Sequence, residues 1–154
     1  MSQQTLYTAE AAATGGRNGH IRSTDGVLNL EVSAPRALGG RPGATNPEQL
    51  FAAGYASCFQ QVMIVTAGRE KMTLPDDFTV NCEVTLFQIG EAYGLAATLN
   101  VTLAGLARDQ AETLVRRAHE ICPYSVGTRG NMAVTLNLVD AKGHKTELTA
   151  LAHQ

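Results

Sequence analysis

Between Asn46 and Arg69 the chain carries a single charged side chain, Glu48. A helix this long with so little charge must be covered on most of its sides, so any fold has to be built around it. Its start is marked. Asn46 is a strong N-cap, and Pro47 suits the first helical position, where its missing N–H costs nothing. The spacing predicts one helix from Pro47 to about Arg69, ending before Pro75. Leu50, Phe51, Gly54, Tyr55, Cys58, Val62 and Val65 form one stripe at helical spacing. Ala52, Ala56, Phe59 and Met63 on the other side are apolar as well.

Strand patterns flank this helix. Residues 5–13, 21–23 and 28–33 are short apolar-leaning runs, broken by Thr14-Gly15-Gly16-Arg17-Asn18-Gly19 and by the hairpin-type dipeptide Asp25-Gly26. A loop rich in Pro and Gly, residues 35–43, leads into the helix. Beyond it, Val80, Cys82, Val84 and Leu86 alternate with polar residues across 79–87, and 93–103 behaves similarly. Asp109-x-x-Glu112 has the form of a capping box opening a second helix, with Ala111, Leu114, Val115, Ala118 and Cys122 on its buried stripe. Pro123 should end that helix close to Cys122. A last strand is expected over 132–139. This order predicts an α+β fold with mostly antiparallel sheet, as a single domain over 1–154.

With 44% hydrophobic and 17% charged residues in 154, the composition is globular. No uninterrupted apolar run reaches the ~18 residues of a membrane span, and Met1-Ser2-Gln3-Gln4-Thr5 lacks the layout of a secretory signal. The expectation is a cytoplasmic protein without a membrane partner. The net charge is −2 and no Lys/Arg cluster stands out, which disfavours nucleic acid. The three cysteines, Cys58, Cys82 and Cys122, are too few and odd in number for a structural disulfide framework.

A free cysteine in a helix is ordinarily a small buried hydrophobe, and Cys82, set in strand alternation, reads as core. Cys58 and Cys122 lie on the apolar stripes of two helices that must share a core. That allows a redox pair, but spacing alone does not establish one. A reactive thiol also needs help to ionise, since burial raises its pKa above ~8.5 and a mid-helix position draws little from the helix dipole. Arg17, Arg36, Arg41 and Arg129 are the loop cations that could assist. Arg17 follows two glycines that let the backbone turn, although an ordinary solvated hairpin arginine would look the same.

The run Thr45-Asn46-Pro47-Glu48-Gln49-Leu50-Phe51-Ala52-Ala53-Gly54-Tyr55, followed by Ser57-Cys58-Phe59, resembles the signature of the organic hydroperoxide resistance (Ohr) proteins of the OsmC-like superfamily. Cys122-Pro123-Tyr124-Ser125 with Thr128-Arg129-Gly130-Asn131, Thr14-Gly15-Gly16-Arg17, and Pro35-Arg36-x-Leu38-Gly39-Gly40 are similar to further blocks of that family. Val126-Gly127, Gln60-Gln61 and the extra thiol Cys82 depart from its pattern. The resemblance implies an OsmC/Ohr-like fold, with two mainly antiparallel sheets around long central helices in an intertwined dimer. It implies a thiol peroxidase for alkyl and fatty-acid-type hydroperoxides. Cys58 would be the peroxidatic cysteine, Cys122 the resolving one, and Arg17 an activating arginine oriented by Glu48. It implies no bound cofactor, with dihydrolipoamide or a lipoylated protein as reductant and hence as partner. Leu38, Phe51, Phe59 and Tyr124 are candidates for an apolar substrate pocket, and core is their plainer role.

Glu48 and Cys58 are ten positions apart on one helix, so their backbones stand ~15 Å apart. The small residues Ala52, Ala53 and Gly54 suggest an antiparallel crossing of two such helices on a twofold axis. Glu48 of one chain would then approach Cys58 of the other in a homodimer with two shared sites. Two other readings compete. A metal site could use His119-x-x-Cys122 with Cys58 as third ligand, although zinc patterns usually show several paired ligands. A non-catalytic redox sensor or hydrophobic-ligand-binding protein could use the same fold.

Overall fold

In the computed structural model, which describes residues 3–148, the Asn46 side chain accepts the Gln49 backbone N–H at 2.8 Å, and helix α1 runs Pro47–Arg69. Residues 1–2 and 149–154, at the ends of the expected single domain and leader-free start, lie outside the described residues. Helix α1 turns a row at i, i+4 spacing to the core: Tyr55, Phe59, Met63 and Ala67, with Thr66 beside it. Cys58 and Val62 flank that row half-buried, and Ile64 and Val65 remain 45% and 40% exposed. Cys58 and Val62 pack against the core as their stripe predicts, whereas the exposure of Val65 corrects the end of that stripe, and the exposed apolar residues correct the expected burial on most sides. A helix that is apolar all round has no amphipathic bias, so whatever packs against it chooses its buried face. An 18-residue window of α1 has a mean hydropathy of 1.3, enough by length and composition to cross a membrane. Counting uninterrupted apolar residues missed this, because Ser57, Gln60 and Gln61 break the run. Its Tyr55-to-Ala67 row nevertheless belongs to the hydrophobic core, as in the core helix of a globular protein.

The chain divides into two compact units, Met1–Leu50 and Phe51–Gln154. The first holds an antiparallel sheet in the order β1-β2-β3, made of Ala11–Thr14, Gly19–Ser23 and Asn29–Val32. The strand expected from residue 5 begins only at Ala11. Its partner β2 is five residues long, and ladder pairing starts at Ala11 opposite Ser23. Asp25-Gly26 forms the β2–β3 turn as expected, with Gly26 at φ +75° and its N–H on the Ser23 carbonyl at 2.9 Å.

The second unit holds β4 (Thr79–Ile89), β5 (Ala92–Thr102), β6 (Ala133–Val139) and β7 (Lys145–Glu147) in that spatial order. Between β5 and β6 run α2 (Arg108–Ile121) and the short α3 (Pro123–Thr128). Pairing is antiparallel except for β5 with β6, which run parallel because the helices provide the crossover such a pair requires. The predicted α+β class with mostly antiparallel sheet is therefore observed.

Helix α2 buries Ala111, Leu114, Val115 and Ala118 as their spacing requires. Its start differs from the expected capping box. Asp109 lies inside the first turn, no side chain caps the helix, and Glu112 Oε1 instead accepts from Arg108 Nε at 2.8 Å. Pro123 ends α2 as predicted, and then opens α3 from the first-turn position its ring favours. The core joins Tyr55, Phe59 and Met63 of α1 to Leu99 and Val101 of β5, Leu114, Val115 and Ala118 of α2, and Leu136 of β6.

Candidate active site

Cys122 occupies the joint between α2 and α3. Its backbone is extended (φ −62°, ψ 127°), yet its N–H still reaches the Ala118 carbonyl at 2.8 Å, and its own carbonyl accepts from Val126 N–H at 2.8 Å. This turn lays the fully buried Cys122 side chain against α1, where its sulfur stands 3.9 Å from that of the half-buried Cys58. Both are free thiols. A disulfide needs the sulfurs ~2.05 Å apart, so closing it takes an approach of about 1.9 Å. Burial pushes the Cys58 thiol up, and proximity to Cys122 pushes it further, while the Tyr124 backbone N–H acts in the opposite direction. None of these influences is a cation that would favour the Cys58 thiolate.

Aromatic rings frame the pair. Tyr124 stacks on Tyr55, with centroids 5.3 Å apart and planes 23° apart, and meets Phe51 edge-on at 5.6 Å. Gly54 makes this possible, because a Cβ there would stand 2.3 Å from Tyr124 Oη. Of the four pocket candidates, Phe51 and Tyr124 therefore come together one to two turns before Cys58. Phe59 is fully buried in the core, its plainer role. Leu38, in a 3-10 helix at Arg36–Leu38 of the first unit, is 63% exposed.

The first unit supplies an ion pair. Gly15 and Gly16 take left-handed conformations (φ +74° and +56°) that open the 3-10 turn Gly16–Asn18 and carry Arg17. The Arg17 guanidinium grips Glu48 through two hydrogen bonds, Nη1 to Oε2 at 2.8 Å and Nη2 to Oε1 at 2.5 Å. Such a fork fixes the plane as well as the place of the guanidinium. The Arg17 hydrogen bonds hold the Glu48 carboxyl below the usual carboxylate range despite its partial burial, and Glu48 in turn raises Arg17.

Cys82 lies on β4 opposite Leu99, packed against the core. Burial, and secondarily Glu83, pushes its thiol up to about 11. His119 does not turn to the sulfurs as a ligand would. Its Nδ1 lies 3.0 Å from Ser125 Oγ, and that hydroxyl bonds Tyr55 Oη at 2.8 Å. Among the described residues no three His, Cys, Asp or Glu side chains gather in a way that could hold a metal ion. The Tyr55–Ser125–His119 chain was missed from the sequence. Its only local signal is that Tyr55 and Ser125 each stand three residues from a paired cysteine.

These features describe an α+β protein of OsmC-like architecture with two thiols in contact at its core helix. The family described as OsmC-like protein matches residues 39–137. An organic hydroperoxide resistance protein of Xanthomonas axonopodis pv. citri is 46% identical over 137 residues, covering 88% of this chain and 96% of the relative. OhrA of Bacillus subtilis, also named as an organic hydroperoxide resistance protein, is 40% identical over 139 residues, covering 89% and 99%. The crystal structure of an organic hydroperoxide resistance protein from Legionella pneumophila superposes with a TM-score of 0.82 at 47% identity, covering 88% of this chain and 98% of that one. The chain belongs to the organic hydroperoxide resistance proteins of the OsmC-like family.

Proposed function

We propose that the protein is a thiol peroxidase that reduces organic hydroperoxides to alcohols. The 3.9 Å separation of the Cys58 and Cys122 sulfurs carries this reading, and the names of the relatives support its substrate class. The Cys58 thiolate attacks the outer oxygen of the hydroperoxide. The O–O bond breaks, the alkoxide leaves and takes a proton as the alcohol, and Cys58 becomes a sulfenic acid. Cys122 then attacks that sulfur. An S–S bond forms, the S–O bond breaks, and hydroxide departs with the Cys122 proton as water. A lipoyl-type dithiol returns both cysteines to thiols and is itself oxidised to its cyclic disulfide. Cys58 is the more exposed sulfur and so the one an incoming dithiol reaches first.

The missing cation comes, in this proposal, from a second copy. Arg17, held flat by Glu48, acts on Cys58 of the partner chain in a homodimer with two shared sites. It stabilises the thiolate and the charge growing on the leaving oxygen. Phe51 and Tyr124 present an apolar surface to the organic tail.

The test is hydroperoxide consumption with tert-butyl hydroperoxide and dihydrolipoamide. Repeated turnover distinguishes a catalyst from a sensor that reacts once. Cys58→Ser abolishes turnover; Cys122→Ser keeps the first oxidation and loses recycling. Equal activity of Cys58→Ser and the parent would sink the proposal.

A further inference from the structure

We infer that Tyr55 and Ser125 are positioning residues for the disulfide step: their buried hydrogen bond holds the Cys122 joint in register with α1, so that the two sulfurs meet. The inference rests on the proposed Cys58–Cys122 chemistry and assigns residues that this chemistry does not itself use.

The geometry is that of two parallel rungs. Tyr55 lies three residues before Cys58 on α1, and Ser125 lies three residues after Cys122, in α3. Within α1, Tyr55 and Cys58, three positions apart, share a face. One rung is the 3.9 Å sulfur contact; the other is the 2.8 Å bond from Tyr55 Oη to Ser125 Oγ. The second rung matters because Cys122 has extended backbone, and Pro123 after it has no N–H to give. The side chain that precedes the joint on α2 also takes part, since His119 Nδ1 meets the same Ser125 hydroxyl at 3.0 Å. One fully buried hydroxyl thus ties α1, α2 and α3 together beside the thiols.

Burial makes this tie selective. Tyr55, Ser125 and Cys122 all have zero exposure, and buried hydroxyls are costly to leave unpaired. Sliding α3 along α1 by a fraction of an ångström stretches the Tyr55–Ser125 bond before any water can replace it. Tyr124 adds a second constraint by stacking on the Tyr55 ring. The joint therefore has one favoured setting, in which Cys122 faces Cys58.

The test uses the whole chain with Cys82→Ser as background, so that only Cys58 and Cys122 exchange. Each protein is equilibrated with reduced and oxidised dithiothreitol, and the Cys58–Cys122 disulfide is quantified after acid quench. This equilibrium reads how well the two thiols are held together and involves no hydroperoxide. Tyr55→Phe is expected to lower the equilibrium constant about fivefold, and Ser125→Ala, which removes the contacts to both Tyr55 and His119, at least about tenfold. Ser125→Thr, which restores a hydroxyl, should lie within about threefold of the background.

In a single-turnover reaction with tert-butyl hydroperoxide, the clamp variants should accumulate Cys58 sulfenic acid, trapped by dimedone, while Cys58 oxidises at the background rate. An unchanged dithiothreitol equilibrium in both Tyr55→Phe and Ser125→Ala would overturn the inference. So would a Ser125→Thr loss as large as that of Ser125→Ala. Should Ser125→Ala fail to fold, Tyr55→Phe against the background decides the matter. A background protein that forms the disulfide with dithiothreitol but consumes no hydroperoxide removes the peroxidase reading and leaves the clamp standing.

Discussion

Tyr124 Oη stands too close to Gly54 to leave room for a Cβ there, so the ring beside the two thiols depends on an absent side chain in the middle of α1. A mid-helix glycine costs ~1 kcal/mol relative to alanine, and here that cost makes room for the stack of Tyr124 on Tyr55. Gly54→Ala gains the helix propensity but must displace a ring already held by Phe51 and Tyr55, an overpacking penalty of about 1–3 kcal/mol. The expected outcome is a protein no more stable than the parent and slower in oxidising Cys58, because the Tyr124 amide shifts with its ring. Tyr124→Phe in the Gly54→Ala background removes the colliding oxygen and should recover part of the loss. A double-mutant cycle of thermal stabilities measures the coupling.

Glu48 predicts an acid-sensitive contribution to stability. Its folded pKa is depressed, chiefly by the Arg17 hydrogen bonds. Stability from the pair is therefore fully present above the unfolded carboxylate value of ~4.3, and is lost as pH falls through the lower folded value. Arg17 is 42% exposed, so the gain is at most about 1 kcal/mol. Urea midpoints of the parent and Glu48→Gln should differ by a constant amount near neutrality and begin to converge only as pH falls below about 4.3. A gap that persists undiminished at acid pH would contradict this assignment.

The Cys82 thiol, pushed up to about 11, should be unreactive. At pH 8 only about a thousandth of it is thiolate, against roughly a quarter for an ordinary cysteine. Burying it protonated favours the fold below the unfolded value of ~8.5, and that contribution fades as pH rises from there towards about 11. Iodoacetamide at pH 8 should label Cys82 in the folded protein far more slowly than in the unfolded chain, as read by peptide mass spectrometry. Cys82→Ser should leave hydroperoxide consumption at the parental rate.

What could be read beforehand follows from how local each signal is. Asn46-Pro47 set the start of α1 correctly because a cap is decided within one turn: Asn46 Oδ1 needs only the Gln49 N–H. Pro123 ended α2 for an equally local reason. The buried face of α1 was not legible, since its apolar residues surround the helix and only the packing of β5 and α2 selects Tyr55, Phe59 and Met63. Strand β7, three polar residues at Lys145–Glu147, carries no alternation, and its pairing with β6 alone makes it a strand. At the site, the flanking motifs paired Cys58 with Cys122. The Tyr55–Ser125 bond spans 70 residues, and neither partner has a pattern that names the other.

The shared-site proposal makes a prediction that no single variant can. Arg17 and Glu48 belong to the first unit, Cys58 and Cys122 to the second, and Glu48 stands ten residues before Cys58 on α1. Suppose that Arg17 of one chain serves Cys58 of the other. A mixed dimer of Arg17→Ala and Cys58→Ser chains then has one site damaged twice and one site intact, with Arg17 from the second chain and Cys58 from the first. If each site lies within one chain, the same dimer has no intact site. Refolding the two impaired variants together at equal concentrations yields about half mixed dimers, each with one working site of two, so about a quarter of the parental turnover should return. Sedimentation confirms the dimers, and hydroperoxide consumption with dihydrolipoamide reads the recovery. Mixed dimers that form but show no activity beyond that of the separate variants would place Arg17 with the Cys58 of its own chain.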